Sequence, residues 1–192
     1  MRKIILDLCG GTGSWSKPYQ EAGYDVRVVT LPDYDIRDYI PPENVYGVLA
    51  APPCEEFSSA KHFHGKGNYK HDYIKGLEIV SACMRIILTC RRTLKFWALE
   101  NPATGSLKKW LGEPDFIFTP WEFGDNYQKV TALWGDFTLP NKTVSKKPAG
   151  IKKFSMLKSK EIFPEYYGIY SRQVRRAITP QGFAQAFFEA NK

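Results

Sequence analysis

Apolar residues fall into short unbroken runs separated by glycine, proline and acidic turns, with one long stretch of helical spacing. Such runs read as strands buried on both faces. They cover residues 3–8 (KIILDL), 24–30 (YDVRVVT), 45–51 (VYGVLAA) and 95–99 (KFWAL). The first run leads into the glycine-rich turn Cys9-Gly10-Gly11-Thr12-Gly13. Ser14 is placed to cap a helix reaching residue 22, and Gly23 ends it. From 72 to 93, Ile74, Leu77, Val80, Met84 and Ile87 recur at three and four residues, predicting an amphipathic helix with Cys83 and Cys90 near its packed face. A short helix at 107–111, strands at 116–123 and 129–137, and a terminal helix at 181–190 behind Thr179-Pro180 complete the pattern. Strand, glycine turn, helix and strand in quick succession open a doubly wound α/β sheet.

The 192 residues suffice for one domain with a sizeable core, so residues 1–192 read as a single domain. No run approaches the roughly 20 apolar residues of a membrane span, and the N-terminal run lacks a cleavage site, so a cytoplasmic protein with no membrane partner is expected. Four cysteines without a CxxC pair suggest neither a disulfide framework nor a zinc site. The net charge of +7 is unevenly spread: residues 141–160 hold seven lysines and no acid, and Arg172, Arg175 and Arg176 follow. Such a basic stripe favours a polyanion such as nucleic acid, or else solubilises the surface.

Three places carry candidate chemistry. Glycines at 10, 11 and 13 permit a close ligand approach, as in a nucleotide or cofactor pocket, or simply make a tight turn. Pro52-Pro53-Cys54 ends one buried strand and Glu100-Asn101-Pro102 another, which places a thiol and a carboxylate on the sheet edge where α/β proteins bind ligands. Each residue alone also fits a structural role. Between them lies a polar loop, 55–71, with Ser58, Lys61, Lys66, Lys70, Phe63 and Tyr69 and with Gly65 and Gly67 as hinge candidates. It reads as a lid whose lysines meet phosphates. Its three histidines, His62, His64 and His71, have no companion acid or cysteine cluster, and no metal is expected.

Together and in this order, these signals resemble the cytosine-5 DNA methyltransferase family. Asp7 to Gly13 is similar to its cofactor motif, Pro53-Cys54-Glu55-Glu56-Phe57-Ser58 to its Pro-Cys motif, Glu100-Asn101-Pro102 to its Glu-Asn-Val motif, and Asp35-Ile36 to the pair near the adenine. The likeness covers residues 1–137, and the closing RRAITPQGFAQAFFEANK is similar to the ends of short, phage-like members. The chain departs from the pattern in several ways. Cys9 replaces an aromatic, Thr30 stands where an acid follows the second strand, and Gln128-Lys129-Val130-Thr131 keeps only the glutamine of a Gln-x-Arg-x-Arg motif. A lysine-rich stretch, 138–170, occupies the place of the target-recognition domain.

The resemblance implies a Rossmann-like S-adenosylmethionine-dependent methyltransferase fold with a central, mostly parallel sheet. It implies S-adenosyl-L-methionine as cofactor, held by Asp7, Cys9, Gly10, Gly11, Gly13, Ser14, Trp15, Asp35, Ile36 and Pro53. It makes Cys54 the nucleophile, Glu100 the acid at the base and Asn101 the residue that holds the loop. Pro53, Ser58, Lys61, Gln128, Lys129 and Thr131 would contact substrate. DNA is the implied partner, and a second chain could supply recognition. RNA, a free cytidine nucleotide, or a non-catalytic nucleic-acid-binding role are the alternatives.

Overall fold

The four apolar runs form β1 (Ile4–Leu8), β2 (Asp25–Val29), β3 (Val45–Ala50) and β4 (Phe96–Pro102), paired in parallel. The computed structural model describes residues 2–58 and 70–192. The remaining strands are β5 (Phe116–Phe118), β6 (Tyr127–Gln128), β7 (Thr131–Asp136) and β8 (Lys152–Lys153). Among the described residues the main sheet has six strands in the order β2-β1-β3-β4-β7-β5. Only β7 runs against the others, antiparallel to both β4 and β5.

The strands are buried on both faces, and alternation divides their side chains between two cores. Leu6, Leu8, Val48, Ala50 and Leu99 face α2 (Tyr73–Cys90), meeting Val80, Cys83, Ile86 and Ile87. Ile5, Leu49, Phe96 and Ala98 face the opposite side, with α1 (Lys17–Glu21) and α5 (Gln181–Asn191). That second core is aromatic. Trp15 lies 5.5 Å from Phe187, and Phe118 stacks on Phe183 at 3.9 Å. Helix α2 is capped by Asp72, whose carboxylate accepts from the Lys75 N–H at 3.0 Å.

Several elements differ from the pattern reading. The first helix begins at Lys17 rather than near Ser14, with Pro18 in its first turn. Ser14 instead accepts the Thr179 N–H at 2.9 Å, so neither residue caps its own helix. The N-terminus of α5 has no side-chain cap among the described residues, although the Asp125 carboxylate lies close to Gly182. Strand β5 stops at Phe118 because Thr119-Pro120 starts a 3-10 turn, closed by the Thr119 N–H donating to Glu122 at 2.8 Å. The short α3 (Lys108–Leu111) forms near its expected place. An unexpected α4 (Arg172–Ala177) is capped by Ser171.

Residues 138–170 hold β8 and three one-turn 3-10 helices. β8 pairs with β6, and Tyr127, Phe154 and Ile162 make a small third core beneath them. Arg175 leaves the expected basic stripe: only 2% exposed, it lies over the Tyr167 ring and donates to the Tyr170 carbonyl at 3.2 Å. Among the described residues, no helix is long and apolar enough to cross a membrane.

Candidate active site

The strand order reverses at β1, with β2 on one side and β3 on the other, so the carboxyl ends of β1 and β3 flank a switch-point crevice. The glycine turn rises from the end of β1. Cys9, Gly11 and Gly13 have φ of +55°, +55° and +69°, and the Gly13 N–H donates to the Gly10 carbonyl at 2.9 Å. Gly10 lies directly over the fully buried Asp7: a Cβ there would sit 2.4 Å from the carboxyl carbon. Asp7 accepts from the Ser16 hydroxyl at 2.6 Å, while its Oδ1 has no hydrogen-bond partner among the described residues. Burial pushes the Asp7 carboxyl up to about 6.

The other expected cofactor residues are placed less evenly. The Trp15 ring is 2% exposed and belongs to the aromatic core, so only its backbone adjoins the turn. Ile36 is buried against the α2 side of the sheet. Asp35 is engaged by Arg37, whose Nε donates at 2.9 Å and holds the carboxylate down at about 2. Arg85 of α2 pins this loop, donating to the carbonyls of Ile36, Arg37 and Tyr39 at 3.1 Å each.

The segment after β3 is clamped from three sides. The Ala51 N–H donates to the Leu8 carbonyl at 2.9 Å, extending the pairing with β1. Asn101, fully buried at the end of β4, donates through Nδ2 to the Pro52 carbonyl at 3.0 Å. The Cys54 carbonyl accepts both the Phe57 and the Ser58 N–H, closing a tight turn that exposes Pro53 and leaves Cys54 half-buried. Phe57 anchors this turn in the core, and its carbonyl accepts the Ser106 N–H at 2.9 Å. Glu56 accepts the Asp72 N–H at 2.9 Å, tying the same turn to the start of α2.

Antiparallel pairing brings β7 back to this edge. Its first residue, the buried Thr131, pairs with Pro102, so the segment just before it lies beside the end of β4. Thr131 Oγ1 donates to the Lys129 carbonyl at 3.1 Å, and Gln128 accepts from Lys147 at 2.8 Å. Cys54, Glu100 and Lys129 therefore share one electrostatic neighbourhood. Burial and the Glu100 carboxylate push the Cys54 thiol up, and Lys129 pulls it back. Burial likewise raises Glu100 against the pull of Lys129. Both groups are thus biased toward their protonated forms.

The pattern reading missed Arg176. This half-buried arginine at the end of α4 interacts electrostatically with Cys54 and lies over the Phe154 ring at 5.0 Å. Three residues earlier, Gln173 donates to Glu55, which fastens α4 to the Cys54 turn. Nothing in the run of basic residues distinguishes Arg176 from its neighbours. Lys61, His62 and His64 lie outside the described residues. Among those described, no group of three or more His, Cys, Asp or Glu is placed to hold a metal.

The strand order, parallel but for one reversed strand, makes this a Rossmann-like α/β fold. The chain matches no described protein family and no curated protein. Among solved structures it is similar to the crystal structure of S. pombe Dnmt2 methyltransferase, with 10% sequence identity and a TM-score of 0.47. The match covers 79% of this chain and 59% of that one.

Proposed function

We propose that the protein is a methyltransferase that transfers a methyl group from S-adenosyl-L-methionine to C5 of cytosine in DNA through a covalent adduct with Cys54. The observation that carries this reading is the convergence of the Cys54 thiol, the Glu100 carboxyl and the Lys129 ammonium at one sheet edge. The glycine turn fits a cofactor with polar groups: Asp7 Oδ1 below it is buried without a hydrogen-bond partner among the described residues, and Gly11 carries no side chain to bar approach.

Cytosine C5 is a weak nucleophile. Sulfur addition at C6 makes C5–C6 a single bond and shifts the double bond to C4–C5, giving an enamine whose C5 is nucleophilic. Cys54 adds as the thiolate. Electron density moves toward N3, where Glu100, whose protonated form burial favours, donates a hydrogen bond or a proton. Asn101 keeps the Cys54 turn in register with β4. S-adenosyl-L-methionine, when bound in the crevice, supplies an electrophilic methyl group to C5. Loss of the C5 proton then re-forms the double bond and expels the Cys54 thiolate. The base must leave a duplex, or arrive single-stranded, to enter such a pocket. The exposed lysines at 146, 147, 152, 153, 158 and 160 support a polyanionic substrate.

Covalent trapping on DNA carrying 5-fluorocytosine tests the proposal. Fluorine at C5 blocks the final elimination, so wild type with cofactor stays attached and Cys54→Ala does not. An adduct on RNA or on the free nucleotide instead of DNA would reassign the substrate. Absence of any adduct in a protein that binds the cofactor would overturn the catalytic reading.

A further inference from the structure

Arg176 and Lys129 differ from the other cations of the C-terminal half. The lysines of that half are exposed, and several are paired: Lys142 with Glu122, Lys152 with Glu161, Lys147 with Gln128. Arg175 is used internally on backbone carbonyls. Arg176 is half-buried, and no carboxylate lies within ion-pair distance of it or of Lys129 among the described residues. The two are nonetheless held together. Lys129 Nζ donates to the Arg176 carbonyl at 3.4 Å, and both cations lie over one ring, Phe154, at 5.8 Å and 5.0 Å.

Bringing two positive groups together in a partly dry place is unfavourable unless something negative joins them. Burial and the nearby Arg172 both disfavour the Arg176 charge. Phe154 offsets part of this through its ring face. A guanidinium stacked on a ring keeps its N–H edge free, and that edge matches two phosphate oxygens. Cys54 and Glu100 lie beside the pair.

We infer that Lys129 and Arg176 form a phosphate-binding subsite on Phe154, which holds the backbone phosphate next to the nucleotide whose base lies at Cys54 and Glu100. This rests on the function proposed above and adds a specific anchor to it. The subsite lets a chain with a short lysine-rich segment hold one nucleotide in register. The exposed lysines then add mainly salt-sensitive, position-independent attraction.

The test measures binding of two cytosine oligonucleotides of the same sequence. One has ordinary phosphates; the other has neutral methylphosphonates flanking the target cytosine. Wild type should bind the neutral form about tenfold or more weakly. Arg176→Ala should lose a comparable factor on the ordinary form and little more on the neutral one. Arg176→Lys should recover part of the loss, and Lys160→Ala should keep the full wild-type sensitivity. Circular dichroism and binding of S-adenosyl-L-methionine check that the variants fold. Equal binding of both forms by wild type, or losses that multiply in Arg176→Ala, would overturn the subsite and leave the proposed function standing. If wild type bound neither form, the nucleic-acid reading would fall and the subsite with it.

Discussion

Asn101 donates to the Pro52 carbonyl at 3.0 Å, which joins the end of β4 to the loop that carries Cys54. The bond is fully buried, so water cannot replace it. It spans two strands whose ends supply the thiol and the carboxyl, and therefore sets their separation. Asn101→Ala should destabilise the protein by about 1–3 kcal/mol, since the Pro52 carbonyl then loses a buried donor. Trapping on 5-fluorocytosine DNA should slow far more than the unfolded fraction explains, because a misplaced nucleophile loses alignment steeply. Urea unfolding with trapping kinetics in the same buffer measures both. Equal trapping rates in a stably folded variant would remove Asn101 from any positioning role.

The Cys54 thiol responds to the charges of its two neighbours. Glu100 raises the Cys54 pKa and Lys129 lowers it, so the two substitutions should move the thiol in opposite directions. The rate of Cys54 alkylation by iodoacetamide, followed against pH, reports its thiolate fraction. In wild type the midpoint should lie above the usual thiol range. Glu100→Gln should shift it to lower pH by removing a nearby negative charge, and Lys129→Ala should shift it higher. A common shift in both variants would show that burial alone governs the thiol. The other three cysteines are replaced by serine or alanine for this measurement, after confirming the fold.

Much of the fold was legible because burial on both faces leaves unbroken apolar runs, and those runs end where chemistry sits. Leu8 and Ala50 mark strand ends, with Gly10 and Cys54 close behind, while β4 runs on past Leu99 to Pro102 and carries Glu100 and Asn101 in its last residues. What stayed hidden depended on which of several equivalent residues a tertiary contact selects. Ser14 and Ser16 are both fit to cap a helix. Asp7 claims Ser16 and the Thr179 amide claims Ser14, so the cap reading failed. Arg175 and Arg176 are adjacent, yet one turns into backbone carbonyls and the other onto Phe154 beside Cys54. No periodicity separates them, because the third core that receives them comes from β6 and an irregular segment.

Asp7 makes stability depend on pH in an unusual direction. Its carboxyl is pushed up to about 6 by burial, above the ordinary value near 4. The folded state therefore keeps this proton to higher pH than the unfolded chain does. The group's contribution is most favourable below about pH 4, declines as pH rises to about 6, and is constant above that. The decline is on the order of 2–3 kcal/mol. Asp7→Asn should remove this component, so that urea midpoints at pH 4.5 and 7.5 differ less than in wild type. An unchanged difference would mean that Asp7 is ionised at little cost. Asp125, also raised to about 6, remains in both proteins and contributes equally.

Gly10 and Gly11 are adjacent glycines needed for different reasons, and alanine at each separates them. At Gly10 a Cβ would sit 2.4 Å from the Asp7 carboxyl carbon, and Asp7 is itself held by Ser16. Relief requires moving the turn or breaking that bond, so Gly10→Ala should cost several kcal/mol and lower the thermal midpoint clearly. At Gly11 no atom of the described residues lies within 4 Å of a Cβ, and the intrinsic cost is the positive φ of +55°, about 1 kcal/mol. The glycine turn rises from the end of β1, beside the switch-point crevice where the proposed cofactor would approach the backbone. Gly11→Ala should therefore leave the fold largely intact yet weaken S-adenosyl-L-methionine binding by about tenfold or more, as read by calorimetry. If Gly11→Ala bound the cofactor like wild type, close backbone approach at that residue would be excluded, and the pocket would have to lie nearer Asp35 and Ile36.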